Sequence, residues 1–491
     1  MSLPPLPPIP CWYRRLPSRA APLKLFQALY GDEPLAFLYE SLEAHGGRGR
    51  YSFIGAKPRA VFRCRGQSLE LVLDGKAYRD TGHPLEALRK LIYVQSDAPP
   101  VAPFCGGAVG YLSYDTVRWA EDIPDDNPDD LGVPDAHFLF PQEVICFDHR
   151  DKLIHVLLYQ EHGHQQRLGE IKAALAAVGE GEQPPPPLPD ANVAVGAPPA
   201  GARILSRTSA DPTLKSNMTK AQFESIVARA KEYIYAGDIL QVVLSQRFEF
   251  PLTTPPLRLY QALRLSNPSP YMYYLKLDDL HIAGSSPEML VTLTGRKVVT
   301  RPLAGTRPRG HTPEEDQALA RELQSDHKER AEHVMLVDLG RNDLGRVCEY
   351  GSIELSEVLE IERHSKVMHL VSNVEGWLRP NCDALDVFRA LFPAGTVTGA
   401  PKVRAMQIID ELEPVRRGVY AGAIGYFSLL GDLDLCIAIR TIVMRADRGF
   451  IQAGAGIVAD SVPHLEYEET LNKARALMRA VRVAKTDAAL A

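Results

Sequence analysis

A mixed α and β fold with large sheets is the expectation for this chain of 491 residues, and three observations carry it. Capping boxes stand ahead of apolar residues at helical spacing. Apolar residues at even spacing follow directly, as in a half-buried strand. Glycine-punctuated apolar runs of strand length then fill the C-terminal part, where glycine permits close approach of backbones.

Taken in order, Cys105-Gly106-Gly107-Ala108-Val109-Gly110-Tyr111-Leu112 reads as a glycine-rich strand and is echoed by Tyr420-Ala421-Gly422-Ala423-Ile424-Gly425-Tyr426-Phe427. The echo predicts related sheets. Gly179 to Pro199, with Pro184-Pro185-Pro186-Pro187, suits an extended linker. It divides the chain into an N-terminal part (1–180), a linker (181–212) and a C-terminal part (213–488). Thr219-x-x-Gln222 caps a helix whose apolar positions are Phe223, Ile226, Val227, Ala230 and Ile234, and Gly237 ends it. Val242, Leu244, Phe248 and Phe250 alternate as in a strand. Thr312-Pro313-Glu314-Glu315 is a second cap, with proline at the first helical position. Strands are expected near 421–428, 435–443 and 450–458, ahead of a final helix opened by Pro463.

The composition excludes several classes of function. There are 55 Lys+Arg against 61 Asp+Glu, a net charge of −6, 45% hydrophobic and 24% charged residues, which is the mix of a globular chain with a substantial core. No basic face and no apolar run of about 20 residues is present, so neither nucleic acid nor a membrane is an expected partner. The seven cysteines lie at wide, unequal spacings without a C-x-x-C pair, which fits a reducing compartment. Arg14, Arg15, Arg19 and Lys24 resemble a transit peptide, but the prolines at 4, 5, 7, 8 and 10 forbid its amphipathic helix. A cytoplasmic location is expected. Gly-x-Cys-x-Gly is absent, so the chain has no glutamine-hydrolysing nucleophile elbow of its own.

Two carboxylate pairs have the same spacing, Glu329-x-x-Glu332 and Glu466-x-x-Glu469. Residues at i and i+3 share a helix face, and most such pairs simply face solvent. If the two faces converged, like charges 4 Å apart would cost about 4 kcal/mol at an effective dielectric of 20. A cation would relieve that cost, and oxygen-only ligands suit Mg²⁺ better than zinc. Lys473 follows Glu469 on the same face and could meet a substrate anion. Gln452-Ala453-Gly454-Ala455-Gly456-Ile457 offers bare backbone N–H groups for an anion, or forms a structural turn. Gly395 to Lys402 is not a phosphate loop, because Pro401 removes a needed N–H. His364 and His369, beside Met368 and Leu370, read as core histidines or as a general acid or base.

Longer strings are more specific. Leu303 to Gly310 (LAGTRPRG), Glu332 to Asp343 (EHVMLVDLGRND), Gly399-Ala400-Pro401-Lys402, Gln452 to Gly456 and Leu471-Asn472-Lys473-Ala474 resemble the chorismate-binding enzyme family. The likeness covers nearly all of 215–485, and a thinner one covers Phe37 to Ser41 and Gly49 to Ser52. The resemblance implies an α+β fold of large antiparallel sheets forming a β-sandwich flanked by helices. Within the family the anthranilate-forming branch is the most similar. Gln241 falls where water-activating relatives have lysine, so attack by ammonia is implied. Ala304 falls where another branch, which forms aminodeoxychorismate, carries a nucleophilic lysine. Asn267-Pro268-Ser269-Pro270-Tyr271-Met272 with Glu40, Ser41 and Cys436 resembles a tryptophan feedback site, although Tyr39 replaces the usual leucine.

Residue by residue, the resemblance implies that Glu332 and Glu469 bind Mg²⁺, with Glu329 and Glu466 assisting directly or through water. Gly305, Thr306, Tyr420, Arg440, Gly454, Ala455, Gly456 and Lys473 are the implied shell for chorismate. Glu288 is the implied acid for the departing C4 hydroxyl, Thr396 a substrate-side hydroxyl, and His369 the group needed for pyruvate elimination. A separate glutamine amidotransferase subunit that supplies ammonia, and L-tryptophan as inhibitor, are the implied partners. The rivals are the aminodeoxychorismate-forming enzyme and a non-catalytic chorismate- or tryptophan-sensing subunit.

Overall fold

Two long strands, Tyr51–Arg65 and Ala136–Asp148, pair antiparallel along their lengths and form the seam from which two sheets spread. The computed structural model describes residues 3–8, 10–42, 49–179, 214–364 and 367–486. The proline-rich linker expected at 181–212 lies outside them. From Tyr51–Arg65 one sheet runs through Leu35–Glu40, Tyr271–Leu277, Leu280–Ser286, Thr441–Arg445 and Arg448–Ile457 to Gln241–Pro251. From Ala136–Asp148 the other runs through Gly107–Leu112, Ala423–Ser428, Leu433–Ile437, Met289–Thr294 and Lys297–Thr300 to Val367–Trp377. The last strand also pairs with Leu303–Pro308 and Glu354–Arg363.

The sheets face each other, as the period-2 alternation of their strands requires. Phe37, Tyr273, Ile282 and Val443 of the first meet Tyr111, Ile424, Tyr426 and Cys436 of the second in one buried core. Their sequence neighbours point outward and are covered by helices. On the first sheet Leu38, Tyr274 and Ile451 pack under Phe26, Tyr260, Leu263, Leu477 and Val481. On the second, Phe138, Phe427 and Leu435 lie in the cluster that holds Leu88, Phe223, Val227, Phe388 and Ile409. The result is an antiparallel β-sandwich flanked by helices.

The two echoing segments are neighbours. Gly107–Leu112 and Ala423–Ser428 pair antiparallel with Gly110 opposite Gly425, joining the N-terminal and C-terminal parts. A Cβ on Gly110 would stand 1.9 Å from the carbonyl oxygen of His137, so a bare backbone is required there. The basic N-terminal segment is also built in, since Trp12–Pro17 pairs with Leu153–Leu158.

The Thr219 capping box forms as expected and opens the helix Lys220–Tyr235. Thr312 likewise accepts from the Glu315 N–H at the start of Pro313–Ser325. One expectation is corrected: the strand at 435–443 is two strands, Leu433–Ile437 and Thr441–Arg445. The break is made by Ile439 N–H donating to the Ile437 carbonyl at 2.8 Å and by Arg440 at φ +51°. All seven cysteines are free, and among the described residues no helix is long and apolar enough to cross a membrane.

Candidate active site and a second polar cluster

Two helices bring the carboxylate pairs toward each other. Asp326 caps His327–Gly345 by accepting the Lys328 and Glu329 N–H groups, which sets the face carrying Glu329 and Glu332. The other pair lies near the start of Pro463–Thr486. Burial raises the Glu332 pKa, and the charges of Glu329 and Glu469 raise it further. Glu466 is raised by burial and by Glu469. Arg307 sits 3.2 Å from Glu329, and Lys473 sits 2.7 Å from Glu469 while donating to the Gly454 carbonyl at 2.8 Å. Among the described residues no three His, Cys, Asp or Glu side chains cluster as a ready-made metal cage.

The floor is glycine. Arg448–Ile457 is not a turn but a strand paired along its length with Gln241–Pro251. A Cβ on Gly454 would lie 2.7 Å from the Tyr420 hydroxyl, and one on Gly456 2.8 Å from the Gln241 amide nitrogen. The two bare positions therefore leave space for those polar groups on the same strand face. The methyl of Ala455 points into the core on the opposite face. Gln241 Nε2 donates to Glu332 Oε1 at 3.4 Å, while its Oε1 is buried without a partner.

Arg440 adds a further cation to this cleft. It is half-buried, burial lowers its pKa, and its charge reaches Tyr420 and Glu469. Among the described residues its guanidinium has no ion pair or hydrogen bond, the state expected of an anion-binding fork. Tyr420 is buried and its pKa is pushed up to about 12, so the phenol stays neutral and can donate.

Glu288 and His369 are driven in opposite directions. Burial pushes Glu288 up to about 8. Its main chain is fixed by Ile437 N–H donating to the Glu288 carbonyl at 3.1 Å, and Ser286 Oγ donates to the Ile437 carbonyl at 2.7 Å. Thr396 stands beside the Glu288 carboxyl with its Oγ1 buried, and its contact tempers the rise that burial causes. His369, on Val367–Trp377, is pushed down to about 4, chiefly by burial. The facing strand Leu303–Pro308 slips register between Ala304 and Arg307, and Gly305 there adopts φ +65°. Its carbonyl comes to 2.8 Å from His369 Nδ1, with Thr306 Oγ1 at 3.2 Å. Ala304 is buried in the ladder opposite Leu370.

The second cluster is split by the sheet. Glu40 is buried on the helix-covered face, accepting from Tyr260 at 2.6 Å and from Arg264 at 3.1 Å. Met272 lies on that face, directly opposite Glu40. Tyr271 and Cys436 belong to the inter-sheet core instead. Ser41 is half-buried, and its neighbour Leu42 donates to the Ser269 carbonyl at 3.4 Å. Asn267 Nδ2 donates to Ser285 Oγ at 2.7 Å, and Pro270 precedes the Tyr271 strand. The Tyr39 hydroxyl reaches the Gly425 carbonyl at 3.0 Å, a bond leucine could not make.

One buried group escaped the sequence reading. Arg417, 1% exposed, sits behind Tyr420 and pairs with Glu413 at 2.6 Å. Its only local signal is a doubled arginine before Gly418, which carries no periodicity.

The family model described as chorismate binding enzyme matches residues 36–479. A curated anthranilate synthase component 1 from Pseudomonas putida is 45% identical over 95% of this chain and 94% of its own length. The one from Thermus thermophilus is 45% identical over 94% and 96%. The crystal structure of anthranilate synthase component I from Streptococcus pneumoniae superposes with TM-score 0.74 at 39% identity, covering 89% of this chain and 93% of that one. A menaquinone-specific isochorismate synthase from Escherichia coli shares the fold at TM-score 0.68 and 20% identity.

Proposed function

The chain belongs to the chorismate-binding enzyme family, and on that premise we propose that it acts as component I of an anthranilate synthase, converting chorismate and ammonia to anthranilate, pyruvate and water. The observation that carries the reading is the divergence of Glu288 and His369. One is a carboxyl still protonated near pH 7, the other an imidazole already neutral there. Environments that push two groups apart in this way assign an acid and a base.

In the first half-reaction ammonia attacks C2, the ring double bonds shift, and Glu288 gives its proton to the departing C4 hydroxyl, which leaves as water. The new C2 ammonium releases a proton to solvent, and Glu288 regains one for the next turnover. Gln241 is a neutral amide and cannot activate water, which favours ammonia as nucleophile. Its buried, unpartnered carbonyl oxygen faces no competing donor among the described residues. In the second half-reaction His369 takes the C2 proton. Its Nδ1–H is committed to the Gly305 carbonyl, which leaves Nε2 as the basic nitrogen. The enolpyruvyl C–O bond breaks, and the side chain gains a proton at its methylene to leave as pyruvate. Arg440 and the Tyr420 phenol bind a substrate carboxylate, above the Gly454 and Gly456 floor.

The donor set fits a hard divalent cation. Glu469 adds to the cost of ionising the desolvated Glu332, and a two-carboxylate site leaves room for water and substrate oxygens. Glu332 and Glu469 would hold Mg²⁺, with Glu329 and Glu466 assisting. Bound there, the ion would supply the positive charge that neutralises and anchors the ring carboxylate of chorismate. Ammonia is delivered by a separate glutamine amidotransferase subunit, since this chain lacks the nucleophile elbow. L-tryptophan inhibits on the inter-sheet side of this region, with Ser41, Asn267, Pro270, Tyr271 and Cys436, while Glu40 and Met272 hold the strand pair from the helix-covered face.

Purified protein with chorismate, Mg²⁺ and an ammonium salt at mildly alkaline pH should form fluorescent anthranilate. Recovery of 4-amino-4-deoxychorismate instead assigns the chain to the rival branch, and no turnover of chorismate sinks the reading.

A further inference from the structure

Behind the substrate cleft one buried guanidinium touches three of its walls. Arg417 Nε and Nη2 grip Glu413 at 2.9 and 2.6 Å, Nη1 donates to the Val397 carbonyl at 2.7 Å, and Nη2 also donates to the Val243 carbonyl at 2.7 Å. Val397 follows Thr396, the hydroxyl beside Glu288, and Val243 lies two residues from Gln241 on the same strand. The guanidinium carbon also stands 5.6 Å from the centroid of the Tyr420 ring, with Tyr114 at 4.7 Å on another side. Glu413 Oε1 in turn accepts Ser245 N–H at 2.8 Å and Ser245 Oγ at 2.9 Å, which ties the pair again to the Gln241 strand.

A buried ion pair of this kind is weak support for stability, because desolvation offsets much of the attraction. Its arrangement here serves geometry. The planar fork fixes donor directions that a lysine ammonium cannot reproduce. Two of those donors are spent on backbone carbonyls of two separate segments, both of which carry groups facing the cleft. None of these contacts reaches Leu303–Pro308 or Val367–Trp377, the strands that hold Gly305 and His369.

We propose that Arg417 is a positioning residue for the amination half of the reaction, setting the Thr396 turn, the Gln241 strand and the Tyr420 ring from behind the cleft while leaving the His369 wall untouched. The proposal rests on the reading of the cleft as an anthranilate-forming site. It assigns Arg417 no contact with substrate. A displacement of about 1 Å in such a frame is enough to lower turnover about 10²-fold.

The test is Arg417→Lys, assayed as two half-reactions. Chorismate consumption with saturating ammonia should fall about 10²-fold. At saturating aminated intermediate, prepared separately and added to the same variant, the maximal rate of pyruvate elimination should stay within about twofold of the parent protein, as expected for a wall the guanidinium does not touch, with any loss through the shared Tyr420 contact confined to KM. Equal loss in both half-reactions marks a purely structural residue and overturns the proposal, as does full retention of the first. If the lysine variant is unfolded by circular dichroism, the nearly isosteric Glu413→Gln decides by the same split. The unaltered protein is the control: if it makes no anthranilate from chorismate, the functional reading fails, a result distinct from any pattern among the variants.

Discussion

His369 Nδ1 lies 2.8 Å from the carbonyl oxygen of Gly305, an acceptor that can only receive, so the imidazole carries its proton on Nδ1 and keeps Nε2 free. His369→Ala should therefore spare the amination step and lower pyruvate release by about 10²- to 10⁴-fold. Chromatography should find the aminated intermediate accumulating. Parallel loss of both steps would contradict the assigned role.

As the proposed acid, Glu288 should give the amination step an alkaline limb. With its pKa pushed up to about 8, the carboxyl is protonated below that pH and ionised above it. With free ammonia held constant, turnover should fall as pH rises through about 8, and Glu288→Gln should remove that limb along with most of the rate. His369, at about 4, stays neutral throughout this range and begins to protonate only as pH falls toward 4.

Metal dependence should follow the mutual repulsion at Glu332. Replacing Glu469 with Gln removes one source of the raised Glu332 pKa together with an anionic oxygen. Turnover that depends on Mg²⁺ should vanish, and the rise in melting temperature on adding Mg²⁺ without substrate should shrink. A chelator should match the variant in the parent protein. An unchanged response excludes Glu469 as a ligand.

Gly454→Ala tests the floor. Its Cβ would lie 2.7 Å from the Tyr420 hydroxyl and 3.0 Å from the Leu244 carbonyl, so the phenol must move. We expect kcat/KM for chorismate to fall by about tenfold or more, with the melting temperature little changed, since even small displacements of a positioning group are costly. Parent-like kinetics would show that the ring does not set the pocket.

At the second cluster two substitutions should part company. Ser41→Ala should relieve tryptophan inhibition without loss of stability, because among the described residues its side chain makes no hydrogen bond. Glu40→Ala should instead destabilise the fold by about 3–5 kcal/mol, since Arg264 would lose the partner of a buried pair. Thermal unfolding and inhibition curves on the two variants separate the effects.

Local chemistry explains which parts of this molecule could be read in advance. The Thr219 capping box closes within four residues, so side-chain identity alone specifies it. Glu329 and Glu332 share a face for the same reason. That their helix meets the one bearing Glu469 is a tertiary fact, and no spacing along the chain encodes it. The break at Ala438 to Arg440 lacks the Gly, Asn or Pro that marks most turns. It persists because Ala438 is held on both its polar groups, donating to Gly422 at 2.8 Å and accepting from Ala421 at 3.0 Å. Arg417 was invisible for the opposite reason. A burial-averse residue type was placed in the core, and only its assembled acceptors make it tolerable. The resemblance groups Glu40, Met272 and Cys436 in one site, whereas the period-2 pleat sends Glu40 and Met272 to one face and Cys436 to the other.

The pairing of Leu35–Glu40 with Tyr271–Leu277 and of Gly107–Leu112 with Ala423–Ser428 has a practical consequence. Both sheets are woven from both ends of the polypeptide, so neither segment flanking 180–213 owns a complete core. Expressed separately, each fragment would present long unpaired strand edges and aggregate. Expressed together, the fragments have every ladder available to them, and the protein is a natural candidate for a split enzyme whose activity reports the meeting of its halves.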